Sequence, residues 1–276
     1  MSKLDGKVAL VTGSGRGIGR SVALQLAAQG ARIVVNDLDA DPANEVVAEI
    51  KAAGGEAVAC AGSVTATDFA ERFIKTAVDN YKGIDIIVNN AGYTWDNVIQ
   101  KMSDEQWYAI IDCHLTAPFR ILRAAYPVFS AAAKAEAAEG KEVFRKVVNV
   151  SSVAAGGNAG QSNYSAAKAG IVGLTKTLSK EWGRLKVNVN CVAFGHIQTR
   201  LTVPLAGDES KTVQIEGREI KVGIGEQLAE MSKRMIPVGR PGTPDEAAGS
   251  IVMLCSPESD YVSGQVVVCG GGFGAL

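Results

Sequence analysis

Cysteine and histidine are scarce in this chain, and each scarcity removes a class of protein. The five cysteines (Cys60, Cys113, Cys191, Cys255, Cys269) are odd in number, widely scattered and without a CxxC pair, which disfavours zinc ribbons and a secreted disulfide framework. The two histidines, His114 and His196, are too far apart for an HExxH helix, so no metal site is expected. There is no G-x-S-x-G elbow of a serine hydrolase and no GxxxxGK(S/T) phosphate loop. Neither charge is in surplus: 28 basic against 29 acidic residues give a net charge of -1, whereas nucleic acid or an anionic membrane calls for a basic excess. No run of about 18 apolar residues is present, and Met1-Ser-Lys-Leu-Asp-Gly-Lys7 enters a strand without an apolar export region. No transmembrane helix is expected, and the expected compartment is the reducing cytoplasm.

What is present is the material of a large core. The 276 residues are 47% hydrophobic and 21% charged, with 31 glycines and 8 prolines. A chain of this length buries about three quarters of its unfolded surface and needs no metal or disulfide staple. Short apolar, β-branched runs at 8–11, 33–35, 57–60, 84–88, 147–150, 189–192 and 266–269 suit strands buried on both faces. Helical stretches at 17–28, 42–53, 67–81, 103–135, 164–182 and 243–254 lie between them. Such alternation predicts right-handed βαβ units and a single α/β domain over 1–276, a doubly wound parallel sheet of Rossmann type flanked by helices. Two stretches break the rhythm. Residues 131–142 read as a solvated extension of a helix, and 201–235, long and irregular beyond a strand end, read as a substrate lid.

The first strand ends in Thr12-Gly13-Ser14-Gly15-Arg16-Gly17-Ile18-Gly19, and a helix follows. The spacing is G-x-x-x-G-x-G rather than G-x-G-x-x-G, but the physics is shared. Gly13 permits a tight turn, Gly17 lets backbone approach a pyrophosphate, and Gly19 allows close packing of helix on strand. The helix start offers free N–H groups and the positive end of its dipole to the phosphates. The next strand ends at Asp37, whose carboxylate either opens a turn or accepts hydrogen bonds from both adenosine ribose hydroxyls and repels a 2′-phosphate. Arg16 pulls the other way. A carboxylate beside a dianion costs more than one mobile arginine returns, so NAD(H) is expected ahead of NADP(H).

Tyr164 and Lys168, at i and i+4 of an apolar helix, emerge on one face. A phenol with an ordinary pKa near 10 is a poor base at neutral pH. A neighbouring ammonium and the positive ring of an oxidised nicotinamide would lower that value, so the phenol could take a proton from an alcohol or return one to a carbonyl oxygen. Upstream, Asn149-Val150-Ser151-Ser152 closes a strand and brings a serine hydroxyl to its carboxyl edge.

Together, Thr12 to Gly19, Asn89-Asn90-Ala91-Gly92, Ser152, Tyr164 and Lys168 resemble the short-chain dehydrogenase/reductase family, with matching motifs from Leu4 to Gly272. Residues 158–170 (Asn-Ala-Gly-Gln-Ser-Asn-Tyr-Ser-Ala-Ala-Lys-Ala-Gly) are similar to those of 3-oxoacyl-thioester reductases, and Val35-Asn-Asp-Leu38 to the hydroxyacyl dehydrogenase part of peroxisomal multifunctional enzymes. The resemblance implies that Tyr164 is the acid/base, that Lys168 lowers its pKa and bonds the nicotinamide ribose, and that Ser152 orients the substrate oxygen. It places Asn89, Asn90, Ala91 and Gly92 against the adenosine side and Val64 at the adenine. Ile18 joins the glycine turn in the cofactor set, and Ile197 and Thr199 hold the carboxamide and pyrophosphate. It further implies a homotetramer, built on the helices around 103–133 and 164–182 and on the C-terminal strands.

Several residues depart from the family pattern. His114 stands where the family has an asparagine whose main chain helps hold a proton-relaying water; a histidine can keep that backbone role, and the multifunctional enzymes share it. Ser63 replaces an aspartate near the adenine, and Phe194 the proline of a Pro-Gly pair. The loop before Tyr164 is one residue short, so Ser151 competes with Ser152 for the catalytic role; the strand register favours Ser152. His196 has no assigned role. The expected reaction moves hydride between NAD(H) and a secondary alcohol or ketone, with a 3-oxoacyl or 3-hydroxyacyl thioester, carried on acyl carrier protein or coenzyme A, ahead of a steroid, polyol or xenobiotic ketone. The alternative of another class is a nucleotide-sensing protein without turnover.

Overall fold

The structure is a computed structural model that describes residues 2–200, 202, 204–205, 211–225, 230–231 and 234–274. The apolar runs become strands and the stretches between them helices. β1 (Val8–Val11), α1 (Gly17–Ala28), β2 (Arg32–Val35), α2 (Ala40–Ala52), β3 (Ala57–Ala59), α3 (Phe69–Tyr81) and β4 (Ile86–Asn89) alternate strictly. Then come α4 (Asp104–Ile111), α5 (Ala117–Ala138), β5 (Arg145–Ser152), α6 (Ser162–Trp182) and β6 (Val187–Phe194). Beyond β6 lie β7 (Pro204–Leu205), β8 (Lys211–Ile215), β9 (Arg218–Val222), β10 (Ile224–Gly225), α7 (Pro244–Cys255) and β11 (Val266–Cys269).

Seven strands form one sheet in the order β11-β6-β5-β4-β1-β2-β3, every pair parallel. Chain order reverses between β1 and β4, and the crevice beyond the carboxyl ends at such a point is where ligands of these sheets bind. Each face carries its own apolar layer. One packs Val22, Leu26, Ile50 and Ile251 of α1, α2 and α7 against Ile33 and Val35. The other packs Phe69, Phe73, Ile121, Phe129 and Trp182 of α3, α5 and α6 against Leu10 and Val147. The single doubly wound α/β domain expected from the sequence is what forms.

Two of the readings of longer stretches need correction and a third holds. The helix read over 103–135 is two helices, α4 and α5, joined by a π-helical turn at Asp112–Thr116 that tucks Cys113 and His114 inward. A π-turn admits an extra residue into the helical repeat, which a periodicity of 3.6 does not reveal. Residues 131–142 are the solvated extension of a helix read from the sequence, the exposed last turns of α5 and the loop after it; from there Glu136 accepts from Arg145 at 2.8 and 2.5 Å at the start of β5. The long segment 201–235 is not irregular where it is described. Lys211–Ile215 and Arg218–Val222 pair antiparallel around Glu216-Gly217, while 201, 203, 206–210, 226–229 and 232–233 lie outside the described residues.

The centre of the sheet is tied by polar side chains as well as by packing. Asn89 and Asn149 face each other across β4 and β5, and Asn89 donates to the Asn149 amide oxygen at 2.8 Å. Asn149 donates onward to Thr175 of α6 at 2.9 Å, and Thr175 to the Ile171 carbonyl at 2.8 Å. Asn149 and Thr175 are fully buried, so removing one partner strands the others without water. Asn149→Ala is expected to cost about 1–3 kcal/mol of unfolding free energy in urea denaturation. A loss under about 0.5 kcal/mol, the range of ordinary surface substitutions, would show that the network does not matter.

Candidate active site

The carboxyl ends of β1, β2, β4, β5 and β6 open into one cavity of about 910 Å³. Its lining includes Gly13, Arg16, Gly17, Ile18, Gly19, Asp37, Val64, Asn90, Ala91, Gly92, His114, Ser152, Tyr164, Lys168, Ile197 and Thr199; Asn89, expected against the adenosine side, is instead buried within β4 with its side chain on Asn149.

The glycine turn at one end is built by close approach. Gly13 and Gly17 have φ of +62° and +54°, left-handed values that favour glycine. A Cβ on Gly19 would collide with the Gly13 carbonyl oxygen, and one on Gly15 would stand 2.6 Å from Asp37 Oδ2. Gly17 is open on the cavity side, with only a Thr199 methyl at 4.0 Å from where its Cβ would be. The glycines therefore divide the work: Gly15 and Gly19 let the turn fold tightly, and Gly17 leaves backbone bare beside the N-terminus of α1. That bare start, with no side-chain cap on its N–H groups, fits the pyrophosphate of a dinucleotide.

Residues that the motif reading assigned no such role hold the turn in place. Asn36 accepts from the Gly13 N–H at 3.2 Å and donates to the Cys60 and Gly62 carbonyls, both at 3.0 Å. The Thr12 hydroxyl accepts from the N–H groups of Asn90 and Ala91, each at 3.0 Å, while the Asn90 amide donates to the Thr12 and Gly13 carbonyls at 2.9 and 3.1 Å. Asn90 thus braces the turn from behind. Asp37 accepts from the Gly15 N–H at 3.1 Å and pairs with Arg16 at 3.2 Å; Arg16 also reaches Asp39 at 3.0 Å. Arg200, also overlooked, lines the cavity nearby, its pKa lowered by burial and by the charge of Arg16.

At the other end, strand register separates the two serines. Ser151 is buried and donates to the Lys168 carbonyl at 2.8 Å, whereas Ser152 faces the cavity, accepts from the Ala154 N–H at 3.1 Å and lies opposite Tyr164. Asn163 sets the start of α6: it accepts from the Tyr164 N–H at 2.8 Å and donates to the Trp95 and Gln106 carbonyls at 3.1 and 3.0 Å. Lys168 sits 5.5 Å from the centre of the Tyr164 ring, and its ammonium donates to the Val150 carbonyl at 2.7 Å.

The electrostatics differ from the sequence expectation that Lys168 makes Tyr164 ionisable. Burial pushes the Tyr164 phenol up to about 12, with the Ser152 hydroxyl acting against it and Asp96 and Cys113 adding to it. Burial also lowers Lys168 from 10.5 to about 8. In the protein alone, then, the phenol holds its proton, and the depression expected at the tyrosine falls on the lysine.

His114 is buried against this pair. Its Nε2 lies 2.7 Å from the Tyr93 carbonyl oxygen, its ring meets Tyr164 edge-on at 5.1 Å between centroids, and burial holds its pKa well below 6.5. A Cβ on Gly92 would collide with the imidazole, so Gly92 serves to admit this ring as well as to line the cavity. Nε2 also lies 3.3 Å from the Tyr93 N–H, so both backbone groups of Tyr93 meet this nitrogen, while Nδ1 is buried with no partner among the described residues. Its other neighbour, Cys113, is driven up to about 12 by burial.

The model of the short chain dehydrogenase family matches residues 7–210. A 3-oxoacyl-[acyl-carrier-protein] reductase of Synechocystis sp. is 40% identical over 275 residues, covering 99% of this chain and 98% of that protein. The 3-oxoacyl-[acyl-carrier-protein] reductases FabG of Thermotoga maritima and Vibrio cholerae are 35% and 36% identical, each covering 98% of both chains. This chain belongs to the short-chain dehydrogenase family. It is an oxidoreductase of alcohols and ketones that uses a nicotinamide dinucleotide, as the glycine turn and bare helix start had suggested.

The shifted Lys168 and Tyr164 groups set the expected pH dependence. Lys168, lowered to about 8, loses its charge above that pH, while Tyr164, raised to about 12, stays loaded with the proton that a carbonyl oxygen must receive. For ketone reduction, kcat/KM is expected to be level on the acid side and to fall as pH rises through about 8, since this ratio reports groups of the free enzyme. A profile flat to about pH 10 would show that the lysine charge is irrelevant.

Proposed function

We propose that the protein is an NAD(H)-dependent reductase of 3-oxoacyl thioesters, able to run in reverse as a 3-hydroxyacyl dehydrogenase. The observation that carries this reading is the continuity of one cavity from Asp37 and the glycine turn to Ser152, Tyr164 and Lys168. The names of the reductases to which the chain is 35–40% identical over nearly its whole length support the substrate class.

In this reading a bound nicotinamide dinucleotide supplies the hydride acceptor or donor. The N–H groups at the start of α1, with Ile18 and Thr199 nearby, would hold its pyrophosphate, and Asp37, Val64 and Asn90 would hold its adenosine half. Asp37 selects NAD(H): its carboxylate already opposes one cation, Arg16, and a 2′-phosphate would bring a dianion beside it. Ile197 and Gly92 wall the nicotinamide end. Ser152 donates to the substrate oxygen, and Tyr164 delivers a proton to that oxygen or removes it. Lys168 holds the ribose and supplies positive charge beneath the phenol. The backbone of the π-turn at His114 supports the relay of protons to the lysine.

The hairpin and the rest of 201–235 act as the substrate lid. The protein works as a homotetramer, with the apolar groove of Phe119, Leu122, Tyr126, Leu174 and Trp182 on α5 and α6 as a subunit contact. Cytoplasmic placement belongs to the same proposal and is supported by five free cysteines, four of them buried, which suit a reducing compartment. Among the described residues, no helix is long and apolar enough to cross a membrane.

The test is an assay of acetoacetyl thioester reduction with NADH and with NADPH, beside a panel of simple ketones. NADH and the thioester are expected to give the highest kcat/KM, and Tyr164→Phe to lower it by about 100-fold or more with NADH binding retained. A strong preference for NADPH overturns the role given to Asp37; undiminished turnover by Tyr164→Phe overturns the role given to the phenol.

A further inference from the structure

The β8–β9 hairpin turns through Glu216-Gly217, at φ of +51° and +76°. Glycine suits such a turn, and asparagine or glycine would suit its first position far better than glutamate. A residue held in a conformation that it disfavours points to work done by its side chain.

That side chain joins both banks of the cavity. One carboxylate oxygen accepts from the Ser63 hydroxyl and, at 2.8 Å, from the Thr65 hydroxyl, in the loop after β3. The other accepts from Arg218 at 3.0 Å, and Arg218 pairs with Glu105 of α4 at 2.8 Å and lies over the Trp95 ring at 5.7 Å. Below this polar clasp, Ile215 and Ile220 are buried against Tyr93, Ile110 and Cys113. The catch is fixed while the hairpin is held by its tip: Arg120 of α5 donates to the Thr65 carbonyl at 3.2 Å, and the Gly62 N–H donates to the Asp37 carbonyl at 2.9 Å. Ser63, Val64 and Asp37 border the cavity on one side of the clasp and Tyr93 and Trp95 on the other, with Glu216 among the lining.

We propose that Glu216 is a positioning residue that latches the hairpin across the mouth of the cavity, so that its bonds to Ser63 and Thr65 set how long the dinucleotide stays bound. This rests on the reading of the cavity as the dinucleotide site. Breaking the latch lets the hairpin swing away from the loop after β3 and uncovers the adenosine half; reforming it shuts the cofactor in against Asp37 and Val64. Ser63 thus serves the cofactor indirectly, by holding the hairpin rather than by touching the base.

Two variants break the latch from opposite sides. Glu216→Asn keeps a residue that tolerates the left-handed turn but is too short to reach the hydroxyls, and Ser63→Ala with Thr65→Val removes the catch. Two readouts are taken on the whole protein: trypsin cleavage at Lys211, Arg218 and Lys221 without cofactor, and NADH dissociation by stopped-flow fluorescence. Each variant is expected to be cut about tenfold faster and to release NADH about tenfold faster, and all three substitutions together to do no more than either set alone. Glu216→Gln, which keeps an acceptor oxygen for the two hydroxyls, is expected to restore most of the protection and most of the residence time. Unchanged cleavage overturns the latch. Faster cleavage with unchanged NADH release overturns its control of the cofactor. If the unaltered protein binds no NADH, the dinucleotide reading and the residence claim fall together, while the protease readout still decides whether the latch exists.

Discussion

The start of α1 lies so close to the end of β1 that only a hydrogen atom fits between Gly19 and the Gly13 carbonyl. This approach aims the uncapped N–H groups of the helix into the crevice where chain order reverses between β1 and β4. The rest of the site is arranged around that contact. Asn90, after β4, braces the turn and is met by the Thr12 hydroxyl, Asn36 braces it from the end of β2, and Asp37 folds back onto the Gly15 N–H while holding Arg16. The nearby central strands are polar in their interior at Asn89 and Asn149, a cost offset by the Nδ2 groups of both, which donate across β4, β5 and α6.

Burial governs the chemistry at the other end. It keeps the proton on Tyr164 and strips the charge from Lys168 more readily than in water, while His114 is held neutral beneath the phenol. A phenol at about 12 is a well-loaded donor to a carbonyl oxygen and a poor acceptor from an alcohol. The positive charge of an oxidised nicotinamide would favour the phenolate and so proton transfer from an alcohol. The sequence pair Tyr164 and Lys168 conveys the geometry of this arrangement but not its energetics, because desolvation depends on what the fold packs around the pair.

Much of the fold could be read from the chain because the strands of the main sheet are short apolar, mostly β-branched runs separated by longer helical stretches. The helix-to-strand order was enough to give the doubly wound sheet, and the glycine spacing with Asp37 marked the cofactor end. What stayed hidden depends on contacts between distant segments. That Gly92 makes room for His114, that Asn36 reaches the Gly13 N–H, and that Ser151 turns toward the backbone of α6 are facts of tertiary approach with no local periodicity. The π-turn at Asp112–Thr116 was hidden for a different reason, since one extra residue in a helix leaves the apolar pattern on either side intact. The hairpin at 211–222 escaped because its strands are mostly exposed and carry lysine, arginine and glutamate where a buried strand would carry valine. Only Ile215 and Ile220 turn inward, too few to announce a strand.

The most direct measurement is the affinity for NADH of Gly19→Ala, by fluorescence titration, with a thermal melt to show that the chain remains folded. An added methyl must push the start of α1 off the Gly13 carbonyl, so affinity is expected to fall by about 100-fold or more while a cooperative melt persists. Affinity close to that of the unaltered protein would mean that the dinucleotide does not rest on this helix start, and the account of the site built upon it would be wrong.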